Sequence, residues 1–282
     1  MAIIKVAIFN RHKFAKLAVD KSQILAWAIA LFSGIAMGLT TAPVNAWLLA
    51  WVALAPLWVL VVSYQKPKIE EQKQKQKQKF LFLPDSLNIH PLPNLILPAL
   101  WGIGYHGLAL SWIMGIHPMT WLGVPWWPSL AIALFCWAFI TVWGAALVTV
   151  WAWLFAIAVP KISGTGILPV ASQKISGTGI LPVTRVLIGT ALWCALESIW
   201  STGSLWWTSL SYTQSPHNLA ILHLGQLSGP SAVTAAIVAV NGLIAEAWIE
   251  GSSATDAVTD VTDGIRLPPR ARNKKVTGNN LI

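Results

Sequence analysis

The sequence predicts an all-α integral membrane protein, a bundle of about six transmembrane helices whose two termini face the cytoplasm. Composition is the first observation, because only 10% of the 282 residues are charged and 55% are hydrophobic, whereas about a quarter of a soluble domain is charged. The second observation is the length of the apolar runs, of which 131–159 contains no charged residue. The third is the placement of the basic residues. Lipid is therefore expected to surround most of this chain.

Six apolar segments are the expected spans, since each has at least the roughly 17 residues that a helix needs to cross hydrocarbon. The fourth is longer than a bilayer requires. Gly144 is its only helix breaker, so one tilted helix is expected there. Gly229 and Pro230 are expected to divide the sixth into an interfacial piece and a helix that begins at Ser231. The six segments are 22–39, 46–63, 94–113, 129–159, 185–201 and 219–248.

Three regions follow from these spans. Residues 1–21 are a cytoplasmic segment, 22–249 the transmembrane helical domain, and 250–282 a polar cytoplasmic tail that is expected to be disordered. Two cytoplasmic loops are inserted in the helical domain. Lysine alternates with glutamine in 65–92, and 160–184 contains the ten residues KISGTGILPV twice. Both compositions predict surface loops without a core.

The Lys and Arg residues orient the bundle. Five precede the first span, six lie between the second and third, three between the fourth and fifth, and five in the tail, which accounts for all 19. The three loops on the other side contain none. Because cytoplasmic loops carry the excess of Lys and Arg, the sequence predicts cytoplasmic termini. This distribution also argues against nucleic acid as the reason for the net charge of +9.

Glu197 is the one carboxylate deep within a predicted span. A carboxylate in hydrocarbon must face protein, a cavity or the interface, so Glu197 is either functional or held by structural hydrogen bonds. Cys194 lies on the same helix face but has no nearby cation, so Cys194 and Cys136 are expected to be inert. No catalytic residue is predicted. The histidines are scattered singly, so neither a metal site nor a cofactor is predicted.

Small residues within the spans predict close helix packing. The stretch from Gly102 to Gly107 matches the GxGxxG pattern of dinucleotide-binding sites, but it lies mid-span and not between a strand and a helix, so packing is the favoured interpretation. Two ridges of small residues are expected to let helices approach closely. The ridges are Gly107, Ser111 and Gly115, and Ala30, Gly34 and Gly38.

The uncharged loop 202–217 carries Trp206, Trp207 and Tyr212. These side chains suit either an aromatic belt at the membrane interface or the lining of a lipid cavity.

Several segments in sequence order resemble the apolipoprotein N-acyltransferase family. Residues 38–47 with 54–57 resemble the first hairpin of that family, and 101–104 with 111–112 resemble its third span. The most specific resemblance is to its fifth and sixth spans and the loop between them, carried by 191–197, 205–207, 210–214, 227–229 and Asn241. The resemblance covers 23–248 apart from the two insertions.

Members of that family transfer an acyl chain from phospholipid to the amino group of a lipoprotein's terminal cysteine. The resemblance implies a bacterial inner-membrane location, membrane phospholipid and an apolipoprotein substrate as partners, and a periplasmic nitrilase-like domain with a Glu, Lys and Cys triad. That triad cannot be mapped onto this sequence. The expectation is a membrane half that is truncated before the catalytic domain, inactive alone and in need of a separately encoded nitrilase-like domain.

The resemblance also assigns site residues. The positions expected to line a substrate or lipid cavity are Glu197, Trp206, Trp207, Tyr212 and Gln214. The arginine that usually follows the fifth-span glutamate is replaced by Ile199 and Trp200. A non-enzymatic lipid-binding or scaffold protein that reuses the same bundle is the alternative. A transporter is disfavoured, because Glu197 stands alone and the spans show no internal repeat.

Overall fold

A computed structural model of the chain describes residues 21–63, 95–164, 180–215 and 217–264. Within these four stretches the chain forms helices and turns and no β-strand, which confirms the all-α prediction. The predictions for 1–20, 65–92 and the repeated loop sequence between 165 and 179 lie outside the described residues. The chain divides into two compact units, Met1–Glu246 and Ala247–Ile282.

Eight α-helices are described in these stretches. Helix α2 begins with a 3₁₀ turn at Trp47–Trp51, and further 3₁₀ helices lie at Ser111–Ile116, Thr120–Leu122 and Leu210–Gln214. The α-helices are α1 (Lys21–Gly38), α2 (Trp47–Ser63), α3 (Ile96–Ala109), α4 (Trp126–Gly164), α5 (Ile180–Ser201), α6 (Leu219–Leu222), α7 (Gly225–Ser228) and α8 (Pro230–Gly264).

Four of these helices are long and apolar enough to cross a membrane, so the chain is a membrane protein. The spanning parts are Lys21–Gly38, Trp126–Val159, Leu181–Ser201 and Pro230–Ser252. The other two predicted spans correspond to the shorter helices α2 and α3. The count of six spans and the cytoplasmic termini therefore stay predictions.

Three predicted boundaries change. Helix α4 is one continuous helix of 39 residues, which confirms the one-helix interpretation of the fourth segment. It continues to Gly164, and α5 begins at Ile180, so both helices extend into the loop predicted at 160–184. Helix α8 starts at Pro230, after the left-handed Gly229 (φ 67°) and one residue before the predicted start at Ser231. It runs to Gly264, since no Gly or Pro interrupts 252–263, and so it extends into the segment that was predicted to be a polar tail.

Glycines allow α3 to lie directly against α1 and α4. A Cβ atom at Gly104 would lie 2.6 Å from the Leu31 carbonyl oxygen, and one at Gly102 would lie 2.6 Å from the Ala145 Cα. On the α1 side, Gly34 meets the Trp101 carbonyl group. The packing interpretation of the glycine-rich stretch and the Gly34 part of the first-span ridge are therefore confirmed.

The second predicted ridge is wrong beyond Gly107. Helix α3 ends at Ala109, and Ser111 and Gly115 belong to the following 3₁₀ helix, whose residues do not repeat at the α-helical spacing. A Cβ atom at Gly115 would have nothing within 4 Å.

The buried Trp58 and its partners link four helices. Trp58 of α2 lies with its ring centroid 5.5 Å from that of Trp151 and 4.8 Å from that of Phe155, both on α4. Its indole Nε1 donates a hydrogen bond to Glu246 Oε1 on α8 at 3.0 Å. The other Glu246 oxygen forms an ion pair with Arg185 of α5. This pair gives Glu246 the partners that a carboxylate in a membrane bundle requires.

Candidate functional site

The aromatic loop, residues 205–214, follows α5 and presents two contrasting faces. Trp207 and Tyr212 are 43% and 52% exposed. Most of the remaining loop residues are buried, although they are largely polar. The buried residues are Thr208, Ser209, Leu210, Ser211, Thr213 and Gln214. The loop ends in the 3₁₀ helix Leu210–Gln214, whose N-cap Ser209 accepts a hydrogen bond from the Ser211 N–H at 3.3 Å.

Glu197 of α5 holds the middle of the aromatic loop. Its Oε1 accepts a hydrogen bond from the Leu210 backbone N–H at 3.0 Å, and the residue is only 6% exposed. The side chains of Trp193, Ser209 and Thr234 surround the carboxyl group. The structure thus places the Glu197 carboxyl group beneath the loop, among Trp193, Ser209 and Thr234.

Helix α3 fixes the start of the loop through Thr208. The Tyr105 hydroxyl donates to the Thr208 carbonyl oxygen at 3.1 Å, and His106 Nδ1 shares a hydrogen bond of 2.7 Å with the Thr208 hydroxyl. The Trp206 ring lies 5.7 Å from the His106 ring. Gly144 of α4 makes room for the imidazole, since a Cβ atom there would overlap the ring.

Gln214 fixes the end of the loop to α2 and to the residues that follow the loop. Its Oε1 accepts hydrogen bonds from Trp51 Nε1 at 3.2 Å and from Asn218 Nδ2 at 2.9 Å. Its Nε2 donates to the Trp47 carbonyl oxygen at 3.3 Å. Gln214 is fully buried, and these hydrogen bonds hold the end of the loop in place.

The exposed face of the loop continues onto the segment after α3. The Trp207 and Trp112 rings lie 5.8 Å apart at 44°, and Trp112 is 60% exposed. We call Trp112, Trp207 and Tyr212 the aromatic surface. No charged residue occurs in 95–159 or in 198–245, so these rings have no charged neighbour in sequence. An uncharged surface of Trp and Tyr suits the membrane interface.

The structure brings the five predicted site residues into one region but gives them different environments. Only Trp207 and Tyr212 are exposed there, Trp206 is half-buried, and Glu197 and Gln214 lie beneath the loop. Trp112 was not selected from the sequence, because it lies 95 residues from its partner ring.

The described residues contain no assembled nucleophilic or metal centre. Cys194 Sγ lies 3.7 Å from the Ser231 carbonyl oxygen, and Cys136 packs against a cluster of Leu110, Ile113 and Ile140. Lys21 and Arg185 are the only Lys or Arg whose side chains the structure describes, and Arg185 is paired with Glu246. Within the described stretches, no group of three His, Cys, Asp or Glu residues could hold a metal ion.

Several known proteins are similar in sequence to this chain, and they share one name. No protein-family model matches the chain. A protein of a Nostoc species is 54% identical over 213 residues, which cover 76% of this chain and 35% of the relative. A Synechocystis relative is 41% identical over 214 residues, which cover 76% of this chain and 37% of the relative. A Thermosynechococcus vestitus relative is 34% identical over 202 residues, which cover 72% of this chain and 31% of the relative. The name of all three is apolipoprotein N-acyltransferase. The chain spans about a third of the length of these relatives.

Proposed function

Since the chain belongs to the apolipoprotein N-acyltransferase family, we propose that it forms the membrane-embedded part of a phospholipid-dependent acyltransferase of the bacterial inner membrane. In this proposal α2 and α3 complete a six-span bundle with cytoplasmic termini, as the distribution of the 19 basic residues favours. The aromatic loop then lies at the outer leaflet. Phospholipid and an apolipoprotein are the proposed partners.

The aromatic surface is the observation that supports this function best. Trp112, Trp207 and Tyr212 are exposed and uncharged. Trp207 and Tyr212 belong to a loop whose buried residues are held from beneath, and the Trp112 ring packs beside Trp207. Rigid aromatic side chains lose little conformational entropy on binding and can lie at headgroup level. We assign lipid contact to these three residues. Glu197 and Gln214 are positioning residues, because each acts through hydrogen bonds to the loop or to its neighbours.

The chemical step is assigned to residues outside this bundle. Acyl transfer through a thioester needs a thiol with a base and commonly a nearby cation. Neither Cys136 nor Cys194 has a Lys or Arg beside it among the described side chains. We therefore propose that a nitrilase-like domain with the family's Glu, Lys and Cys triad supplies the nucleophile. The bundle binds the donor lipid and holds it next to that domain.

Photo-crosslinking tests the lipid-contact assignment. A photoreactive amino acid at Trp207 should capture phospholipid in membranes, and Trp112→Ala should reduce that capture, because the two rings form one surface. The matched control is the same photoreactive residue at Phe135, which is 69% exposed on α4 and reports annular lipid. Capture there should not respond to Trp112→Ala. Adducts at position 207 that contain only protein, or a yield that Trp112→Ala leaves unchanged, would refute the assignment.

A further inference from the structure

The segment between the 3₁₀ helix Ser111–Ile116 and the first turn of α4 exposes large apolar side chains. We call residues 117–127 the tryptophan loop. Within it, Trp121 is 78% exposed, Leu122 60% and Trp127 73%. Clustered apolar side chains at a surface, unlike single scattered ones, mark a place where a protein contacts a partner or a membrane. The function proposed above assigns no such contact to this loop.

The tryptophan loop stands at one end of an exposed stripe on α4. Counted from Trp127, exposed positions recur every three or four residues, a spacing that places them on one helix face. They are Ala131, Leu134, Phe135, Ala138 and Val142. The stripe from Trp127 to Val142 is about 22 Å long at 1.5 Å per residue. Because α4 is long and apolar enough to cross a membrane, acyl chains are expected along this stripe, and the loop lies where the stripe ends.

The tryptophan loop is held from within, so it depends little on hydrogen bonds from water. The buried Ser129 hydroxyl accepts a hydrogen bond from the Met119 N–H at 2.8 Å and shares one of 2.9 Å with His117 Nδ1. Three further N–H groups donate to carbonyl oxygens of the same loop, those of Leu122, Gly123 and Val124. Prolines, which have no N–H, occupy positions 118 and 125. Transfer of this loop from water to a lipid interface therefore breaks few hydrogen bonds.

The composition of the loop favours the lipid headgroup region over a protein partner. No charged residue occurs in 95–159, whereas the rim of a protein interface is normally polar. Tryptophan is enriched at headgroup level, because its ring is apolar and its N–H can bond to polar groups there. The irregular backbone sets the depth, since lipid-exposed loops do not occur within the hydrocarbon. The boundary between headgroups and acyl chains satisfies both conditions.

We propose that Trp121, Leu122 and Trp127 anchor the start of α4 in the headgroup region of the phospholipid bilayer. This contact is separate from the aromatic surface and concerns bulk lipid. The apolar part of α4 has 34 residues, about 51 Å of helix, against about 30 Å of hydrocarbon. A helix with that excess length has no unique depth, and an anchored end defines one. The proposal requires only that α4 crosses the membrane and does not rest on the acyltransferase function.

Site-directed spin labelling with power saturation tests the depth of the loop. Leu122→Cys and Phe135→Cys are made singly in a Cys136→Ala, Cys194→Ala background, labelled with a nitroxide and reconstituted in phosphatidylcholine vesicles. Collisions with oxygen and with a water-soluble nickel chelate report the depth of each label. The label at Leu122 should lie at the headgroup boundary. The label at Phe135 should lie about 12 Å deeper, because eight residues of α4 separate Phe135 from Trp127.

Removal of the tryptophan rings tests whether they hold the loop at this depth. Trp121→Ala combined with Trp127→Ala should move the Leu122 label outward by at least about 5 Å, the thickness of the headgroup layer. Trp153→Ala is the matched control, because it removes an exposed ring of α4 that lies outside the loop, and it should leave the Leu122 label in place. A Phe135 label that stays among the acyl chains verifies that each variant is inserted.

Two results would overturn the proposal. The first is a Leu122 label as accessible to the nickel chelate as a label at Gln74→Cys, in the polar lysine-rich segment. The loop would then lie in water, where only a protein could cover it. The second is a Leu122 depth that the double alanine variant leaves unchanged. Because neither readout involves crosslinking at Trp207 or acyl transfer, failure of this proposal is distinguishable from failure of the proposed function.

Discussion

Removal of the Asn241 amide should destabilise the bundle strongly, because this one side chain serves two helices. Its Oδ1 accepts hydrogen bonds from the Leu54 N–H at 2.9 Å and the Ala55 N–H at 3.0 Å. Its Nδ2 donates to the carbonyl oxygens of Ala50 and Ile237. Residues 50–55 are where α2 changes from a 3₁₀ turn to an α-helix. Backbone groups at such a junction lack intrahelical partners, and no water reaches them.

The expected loss of unfolding free energy follows from the backbone groups that lose their hydrogen-bond partner. In Asn241→Ala the Leu54 N–H and the Ala50 carbonyl oxygen lose this partner, while the Ala55 N–H keeps a 3.2 Å bond to Val52 and Ile237 remains in a regular helix. Two orphaned buried groups cost about 2–6 kcal/mol. Hydrogen bonds between membrane helices average nearer about 0.6 kcal/mol when the helices can readjust. We expect a loss of about 3 kcal/mol, because the full burial of Asn241 and Leu54 limits readjustment.

Reversible unfolding in SDS mixed micelles, followed by tryptophan fluorescence, measures this loss. Asn241→Leu keeps most of the side-chain volume, so a similar loss in that variant assigns the effect to hydrogen bonds and not to a cavity. Asn218→Ala is the control, because it deletes a single, partly buried hydrogen bond to Gln214 and should cost less than about 1 kcal/mol. A loss in Asn241→Ala that does not exceed the loss in the control would refute this account of α2.

Three further predictions concern packing, topology and activity. Gly189→Ala should cost about 1–3 kcal/mol in the same unfolding assay, since its Cβ would overlap the immobilised Trp58 ring, whereas Gly115→Ala, with open space around it, should change stability by less than about 0.5 kcal/mol. A cysteine introduced at Gln74 should resist a membrane-impermeant thiol reagent in intact cells, and efficient labelling would contradict the predicted cytoplasmic loop. The 282 residues alone, reconstituted with phospholipid and a diacylated lipopeptide, should give no triacylated product by mass spectrometry. Product that disappears with Cys194→Ala would show that this thiol is a nucleophile.

Hydrophobicity was enough to predict four helices that are long and apolar enough to cross a membrane, because a long uncharged run has no other stable solvent than lipid. It did not predict where the helices end. The segment after Ser252 is too polar for lipid, yet it contains Ala, Val and Asp without a breaker, and α8 continues through it to Gly264. Solvent preference and helix formation are separate properties, and only the first is encoded in hydropathy.

The sequence was less informative about which loop residues face outward. An irregular loop has no period of 3.6 or 2.0 residues from which a buried face can be inferred. The family resemblance assigned Glu197 and Gln214 to the lining of a cavity, and in the structure both lie buried beneath the loop. Their burial depends on distant partners, such as Trp51 for Gln214, 163 residues away. No local sequence pattern predicts a contact between two residues that are so far apart in the chain.

The aromatic loop therefore owes its conformation to three helices more than to its own sequence. Tyr105 of α3, Glu197 of α5 and Trp51 of α2 each bind a different part of the loop or its end. In a bilayer these buried polar groups have no water as an alternative partner. Loss of any one contact therefore leaves an unpaired polar group and weakens the other two contacts. The exposed Trp207 and Tyr212 are consequently presented only when the three helices have packed. The proposed lipid-contact surface therefore forms together with the bundle. Loss of the Asn241 hydrogen bonds to α2 is expected to reach this surface through the bond between Trp51 and Gln214.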